Sequence, residues 1–560
     1  MSWMPRHTSG KAHTFLSLDH LVLAFFVVGS FIGIWHALPM LNVILDEQYF
    51  VGGVLRAIEM KSVLPPVGGV PYGTVTFYLN YVLQIPFLAI LLAWKGFNIV
   101  SLETYLILHP EIAYLVPRLL SAMIATIVAL VYDRFLRSEG LPLPQRFAVL
   151  SVMFMTVIAS VTFHTGKVWV LSSVLAGTSA LCMYLALKAH IRGAQEPVYG
   201  PIFWSIVSAF VALANFPLAG VFLVNIPILL YIFRNDTVRF RAVTRAILTG
   251  VFVFTVVLAT NVRNIYSLVI HIFTDFNPIL SGGTSAQALT PFSESFFFHF
   301  EQTLVAFPFV IAVIVIAVLT RAIQNKLLFW VSFGYAGLYF LTISLVATWF
   351  DDLGGELHYL FPLAFFSSGM IAAIAYKKMR LIVWGFCVLQ TLVFFYTLYL
   401  LSVPTTFNQV DAFVEQNFRT EHVLIINTVV ELSLPLNKET ALLQSDEHCG
   451  SKCLYWRSAT LESDFIPVVV TSQSQIDKVN AASYSRVLLI TDQRPVTSCV
   501  SEPLKTFQSG ASDERYVSVE YNLGHYFVPD FWHLSRLGKN LTLYEISKEC
   551  AARLLVDLNM

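Results

Sequence analysis

The chain has 560 residues, 56% of them hydrophobic and 12% charged, with a mean hydropathy of +0.68. A soluble protein carries about twice that charged share, so a water-soluble globule is excluded, and 35 basic against 35 acidic residues leave no net charge to draw the whole chain to nucleic acid. The apolar residues run in unbroken blocks rather than alternating, which excludes a β-barrel and predicts membrane helices.

Twelve apolar blocks are read in chain order, near 20–41, 72–94, 114–132, 147–163, 168–187, 201–216, 218–233, 246–265, 303–320, 327–349, 358–376 and 381–403. The first is too long for a signal-peptide core and no small-residue cleavage site follows it, so it reads as a retained anchor. The block 72–94 is the exceptional one. It contains Asn80, Gln84 and Pro86, and it follows the breakers Pro65-Pro66 and Gly68-Gly69.

Basic residues decide how that block is used, because they collect on the cytoplasmic side. If 72–94 lies along the membrane or re-enters it, eleven spans remain and the N-terminus is cytoplasmic. Sixteen Lys and Arg, including Arg134, Arg137, Arg146, Lys188 and the run Arg234 to Arg245, then face inward. Only Arg56, Lys61, Lys95, Lys167 and Arg263 face outward before residue 404. A full crossing by 72–94 would reverse every later loop and expose Arg234 to Arg245. The expectation is therefore a polytopic α-helical membrane domain, residues 1–403, with a long first outer loop at 42–113 and a second at about 264–302.

From Pro404 the composition becomes that of an ordinary soluble protein. Short β-prone runs recur at His422–Asn427, Phe465–Thr471, Arg486–Asp492, Tyr516–Tyr521 and Leu541–Ile546, with helix-compatible stretches such as Asn408–Phe418 between them. This predicts a soluble α/β domain over 404–560, on the extracytoplasmic side. Cys449, Cys453, Cys499 and Cys550 fall in it. Disulfides are permitted in that compartment, and free thiols or metal ligation by Cys449 and Cys453 are the other readings. Cys182 and Cys387 fall in spans and read as packing residues.

Four constellations could carry chemistry. Asp46-Glu47-Gln48-Tyr49 follows the first span directly, where a carboxylate serves as a helix cap or as a base at the mouth of a cavity. Pro117-Arg118-Leu119-Leu120-Ser121-Ala122 opens a span at the outer interface, where Arg118 either snorkels or pairs with a lipid phosphate. His164 to Trp169 forms a tight outer turn containing Lys167. Asp351, Asp352, Glu356 and His358 crowd a short outer loop that is either hydrated or a weak candidate for a divalent cation.

In order and sidedness these elements resemble the GT-C-type integral membrane glycosyltransferases, in particular the protein-mannosyltransferase and aminoarabinose-transferase branch. The resemblance covers about 20–400. It rests on the acidic pair Asp46-Glu47, the proline-rich and membrane-hugging stretch Pro65 to Trp94, and the span start Arg118 to Ala122. The late span opens His358-Tyr359-Leu360-Phe361-Pro362 where the family has Arg-Tyr-Leu-x-Pro. The turn His164 to Trp169 holds no acid, and Asn215-Phe216-Pro217 stands where Lys and Tyr are common.

The resemblance implies inverting transfer of a sugar from a polyprenyl-phosphate donor to a lipid, glycan or protein acceptor at the outer face of the plasma (inner) membrane. No cofactor beyond a divalent cation is implied, and no nucleic acid. Asp46 would be the base with Glu47 in support. Arg118, Lys167 and His358 would hold the donor phosphate, and His164, Tyr49 and Tyr359 would line the site. Two readings compete, a transporter or flippase for a lipid-linked or anionic substrate and a catalytically silent scaffold of the same fold. Charges gathered at the outer rim rather than at mid-span weigh against transport.

Overall fold

The computed structural model describes residues 18–40, 47–66, 72–166, 168–193, 199–267, 291–348, 357–445, 463–493, 500–510, 532–549 and 551. The first part of the chain is a helical bundle. It opens with α1 (Leu18–Phe31), α2 (Glu47–Glu59), α3 (Thr74–Trp94), α4 (Ile99–Leu108) and α5 (Glu111–Ser138). Next come α6 (Leu143–Phe154), α7 (Val157–Phe163), α8 (Val168–Ile191), α9 (Tyr199–Asn215), α10 (Asn225–Ile232) and α11 (Thr237–Thr260). The set continues with α12 (Phe292–Ala306), α13 (Pro308–Leu319), α14 (Lys326–Ala347), α15 (Phe361–Ala372) and α16 (Tyr376–Ser402). Among the described residues six helices are long and apolar enough to cross a membrane, or up to eight if each bent pair is one span. The chain is a membrane protein. Its helices do not by length alone reach the eleven spans expected.

Two expected spans are broken. Block 147–163 divides into α6 and α7, bent by 64°, and the block at 303–320 into α12 and α13, bent by 94°. Pro308 explains the second, since it cannot continue a helix from Phe307. The first has no proline or glycine at its break. Its exposed carbonyls are taken by hydroxyls instead, Ser160 donating to Phe154 O at 3.0 Å and Thr156 to Val152 O at 3.2 Å. Every residue from Leu150 to Phe163 is buried, the condition under which a broken helix survives in a membrane.

α5 runs through the bundle and is pinned at both ends. Pro117 supplies no N–H, which leaves the carbonyl of Ala113 without its helical donor. The Gln84 amide of α3 fills that place, donating to Ala113 O at 2.7 Å. At the other end Asp133 accepts from Arg146 at 2.7 Å and Arg137 at 2.6 Å, while Asp19 at the start of α1 accepts from Arg146 at 2.5 Å and Arg137 at 3.1 Å. Charges that could not stay single in an apolar bundle are here shared among four groups.

After α16 the chain forms α17 (Thr406–Phe418) and a five-stranded sheet with α18 (Lys438–Ser445). The strands are β1 (Val423–Asn427), β2 (Val468–Val470), β3 (Arg486–Thr491), β4 (Val500–Phe507) and β5 (Leu541–Ile546), in the order β2-β1-β3-β5-β4. The first three are parallel, and β5 is antiparallel to both β3 and β4. Alternation divides β1 between two cores: Val423 and Ile425 face Phe407, Val410 and Val414 of α17, while Leu424 and Ile426 join Val487 and Leu489 on the other face. Four of the five β-prone runs become strands. The fifth, Tyr516–Tyr521, lies outside the described residues, and β4 was not foreseen.

This tail seats on the bundle beside the ends of α1, α2 and α7. Tyr396 of α16 donates to Leu534 O at 2.6 Å, Asn408 of α17 donates to Leu38 O at 2.8 Å, and Leu534 and Leu537 pack on Val157 and Val161. Beyond the carboxyl end of β1 the chain turns back on itself, with Asn427 donating to Leu432 O at 3.0 Å. Leu432 and Leu434 share a core with Ala37 and Met40, and Leu436 and Ala441 share another with Val51 and Leu55 of α2. The tail therefore packs against the chain on both sides of residues 41–46.

Candidate functional site

α2 begins with Glu47, an acid in the first turn, where the helix N-terminus favours negative charge. Its carboxylate points into the bundle and is 1% exposed, as is Arg118 of α5. Arg118 donates to it through Nε at 2.8 Å and Nη2 at 2.7 Å, the two-point geometry that guanidinium and carboxylate share. Nη1 donates to the carbonyls of Ile34 at 2.9 Å and His36 at 2.7 Å, beyond the end of α1. Of the five guanidinium N–H groups, four are thus committed among the described residues.

The turn between α7 and α8 closes this clamp. Gly166 donates its N–H to Glu47 Oε1 at 2.7 Å, and Ser121 of α5 donates to Thr165 O at 2.6 Å. A Cβ on Gly166 would stand 2.7 Å from Pro117 Cβ and 3.0 Å from Glu47 Oε1. Neither neighbour can retreat, the first being ring-locked and the second doubly bonded. Gly166→Ala is expected to cost about 1–3 kcal/mol, the range for overpacking a tight site, read as a lowered melting temperature in detergent. Melting at the wild-type temperature would show that the turn is free to move.

Asn215, at the end of α9, ties the other side. Its Oδ1 accepts from the Thr76 N–H at 2.9 Å and hydroxyl at 3.0 Å, and its Nδ2 donates to Ser172 Oγ at 2.8 Å and Val168 O at 3.2 Å. Gly73, at φ 77°, donates to Asn215 O at 2.8 Å. A side chain there would collide with Val168 and Phe50, so glycine is required both by conformation and by space. Beside this lies an aromatic group: Trp169 is 4.0 Å from Phe216 and 4.6 Å from Tyr359 between ring centroids, and Tyr72 bridges Phe50 and Trp169.

The expected site residues are distributed as follows. Glu47 and Arg118 meet directly, and Tyr359 stands in the aromatic group. His164 is buried with its Nδ1 against Ser160 O of α7. The side chains of Tyr49 and His358 lie outside the described part. Asp46, Lys167, Asp351, Asp352, Glu356, Cys449, Cys453, Cys499 and Cys550 lie outside the described residues altogether. Among the described residues no group of three or more His, Cys, Asp or Glu could hold a metal ion. Asn215 entered the sequence reading only as a departure from the family pattern and the Gly166 N–H not at all, because the first needs a long-range partner to gain meaning and the second acts through its backbone.

No family model matches the chain, and no curated protein matches it. Among solved structures the chain is similar to the crystal structure of ArnT from Cupriavidus metallidurans bound to undecaprenyl phosphate, at 12% identity and a TM-score of 0.45, covering 94% of this chain and 97% of that one.

Proposed function

We propose that the chain transfers a sugar from a polyprenyl-phosphate donor to a lipid, glycan or protein acceptor at the outer face of the plasma (inner) membrane. The observation that carries this reading is the Glu47 clamp. It fixes the residue next to Asp46 against α5 and the α7–α8 turn, at the end of the bundle where the tail also grips the chain. A base must be held at a defined place to act on an incoming hydroxyl, and Glu47 supplies the holding.

In this reading the acceptor oxygen attacks the anomeric carbon while the bond from that carbon to the phosphate oxygen breaks, inverting the centre. The acceptor proton passes to Asp46, and the phosphate departs as an anion on its lipid. Lys167 and His358 would stabilise that anion, with Arg118 contributing the one N–H left uncommitted among the described residues. Tyr359, and Tyr49 with it, would line the sugar pocket. The phosphate is already a good leaving group, so no general acid is needed. The test is transfer from an undecaprenyl-phosphate-linked sugar by purified protein in nanodiscs, with and without a chelator. Release of undecaprenyl phosphate that never exceeds the protein-free control would end the proposal.

The sidedness belongs to the same reading, with residues 404–560 outside as an extracytoplasmic soluble domain and α3 lying along the outer interface. What supports it is that the hydrogen bonds of Thr76 and Gln84 reach Asn215 and Ala113, both near the Glu47 end of the bundle. In a cysteine-free background, exposed Ser474→Cys should react with an impermeant maleimide from outside and exposed Asn235→Cys should not. The reverse pattern would overturn the orientation.

A further inference from the structure

α16 marks where the bilayer lies. Its first turn exposes Lys377, Lys378 and Arg380. Leu381, Trp384, Val388, Leu392 and Phe395 then stand exposed at spacings of three and four, one apolar stripe along the helix. Tyr399 continues that stripe and ends it. Positions 380 and 399 lie 19 residues apart, about 28 Å at the helical rise of about 1.5 Å per residue, against roughly 30 Å for a hydrocarbon core. Cations and aromatic rings gather at the edges of such a core. The level of Tyr399 is therefore one face of the membrane.

The tail reaches that level. Tyr396 stacks on Tyr399 at 6.2 Å between ring centroids and on Trp532 of the tail at 5.0 Å. The segment after Trp532 is tied on two sides. Tyr396 and Tyr399 donate to the carbonyls of Leu534 and Ser535, and the Ser535 N–H donates to Ser509 O at 2.8 Å within the tail. Leu534 and Leu537 turn into the seam with α7, while Trp532 and His533 turn outward. From the other side Trp35, beyond the end of α1, sets its indole N–H on Ser402 O. Trp35, Tyr399 and Trp532 are 49%, 48% and 43% exposed, a belt of half-open rings around the end of α16. In water such rings would leave their apolar faces unused. At a bilayer edge the ring meets lipid and its polar tip meets water. We propose that the tail binds the bilayer itself, with residues 532–537 seated in the headgroup layer at the end of α16 and Trp532 against the lipid. The partner is a phospholipid surface, continuous with the one that covers the stripe of α16. Held by the bundle and by the lipid, the tail cannot swing about residues 403–405.

The test uses the full chain in phosphatidylcholine nanodiscs, cysteine-free apart from one nitroxide-labelled position. It reads collisions with oxygen, which concentrates in lipid, and with a nickel chelate, which stays in water. At Trp532→Cys the oxygen-to-nickel ratio is expected to shift to that of Phe395→Cys on the lipid stripe, well above that of Ser474→Cys on the exposed tail. A ratio at the Ser474 value overturns the proposal. So does dipolar broadening between labels at position 532, which would show a second copy of the chain covering the belt. Loss of the ring could itself loosen the segment, so the unlabelled protein is measured as well. Lipids brominated near the headgroup end of their acyl chains should quench more tryptophan fluorescence in wild type than in Trp532→Phe, which keeps an aromatic ring for Tyr396. Equal quenched intensity in the two proteins overturns the proposal. Sugar transfer is untouched by either failure, because the contact with lipid does not depend on it.

Discussion

Asp46→Asn is expected to lower sugar transfer by about 10² to 10⁴-fold, the usual worth of general-base assistance, with expression and melting temperature close to wild type. The substitution preserves shape and hydrogen-bonding capacity and removes only the ability to take up a proton. Adjacent residues at the start of a helix point in different directions. Glu47 is committed to Arg118, so the proposed reading gives the proton-accepting role to the carboxylate before it. Rates are measured with saturating undecaprenyl-phosphate sugar, so that weakened donor binding does not imitate a chemical defect. A folded variant retaining more than about a tenth of wild-type turnover would remove Asp46 from the mechanism, since that loss is below the smallest general-base effect.

The second large effect is on stability. Glu47→Gln leaves the Arg118 guanidinium buried with no counter-charge, and breaking a buried pair from one side costs about 3–5 kcal/mol. The carboxamide oxygen can still accept from Nε and the Gly166 N–H, but its NH₂ meets the Nη2 donor with another donor. The expected result is a sharply lowered melting temperature and little folded protein at 37 °C. Removing the guanidinium as well, in Glu47→Gln with Arg118→Met, should restore more than half of the loss, because the cost lies in the stranded charge. Transfer should stay low in the double variant, since the clamp that fixes the Asp46 loop is gone. A single variant within about 1 kcal/mol of wild type, the value of an exposed pair, would show that the pair is solvated.

The sequence announced the membrane class and most strands, because both are written in local pattern. Blocks of apolar residues and period-two runs survive without knowledge of partners. What escaped it depends on partners or on satisfied backbone. The α6–α7 break is invisible at Met155-Thr156, where no proline or glycine stands, and exists because nearby hydroxyls take the freed carbonyls. β4 was missed because Pro503 argues against a strand, yet β4 is the edge of the sheet, where proline is tolerated. At the site, the acidic pair and Arg118 were visible as residue types. That Glu47 and Arg118 bind each other could not be read from positions 71 apart in the chain. Gln84 looked like an obstacle to a span, and its use is to serve the carbonyl that Pro117 leaves open.

The placement of β5 sets the order in which this protein can be finished. It lies between β3 and β4 and is the only described neighbour of β4, although it is the last of the described strands in the chain. During synthesis the sheet stays open until Ile546 has emerged, long after the helices of the bundle have been made. Until then Leu432 and Leu434 have an incomplete core behind them, and their hold on Met40 is loose. A nascent or truncated chain that lacks β5 therefore lacks Leu541 and Leu543, the part of the core behind Leu432 and Leu434 that only the last strand supplies.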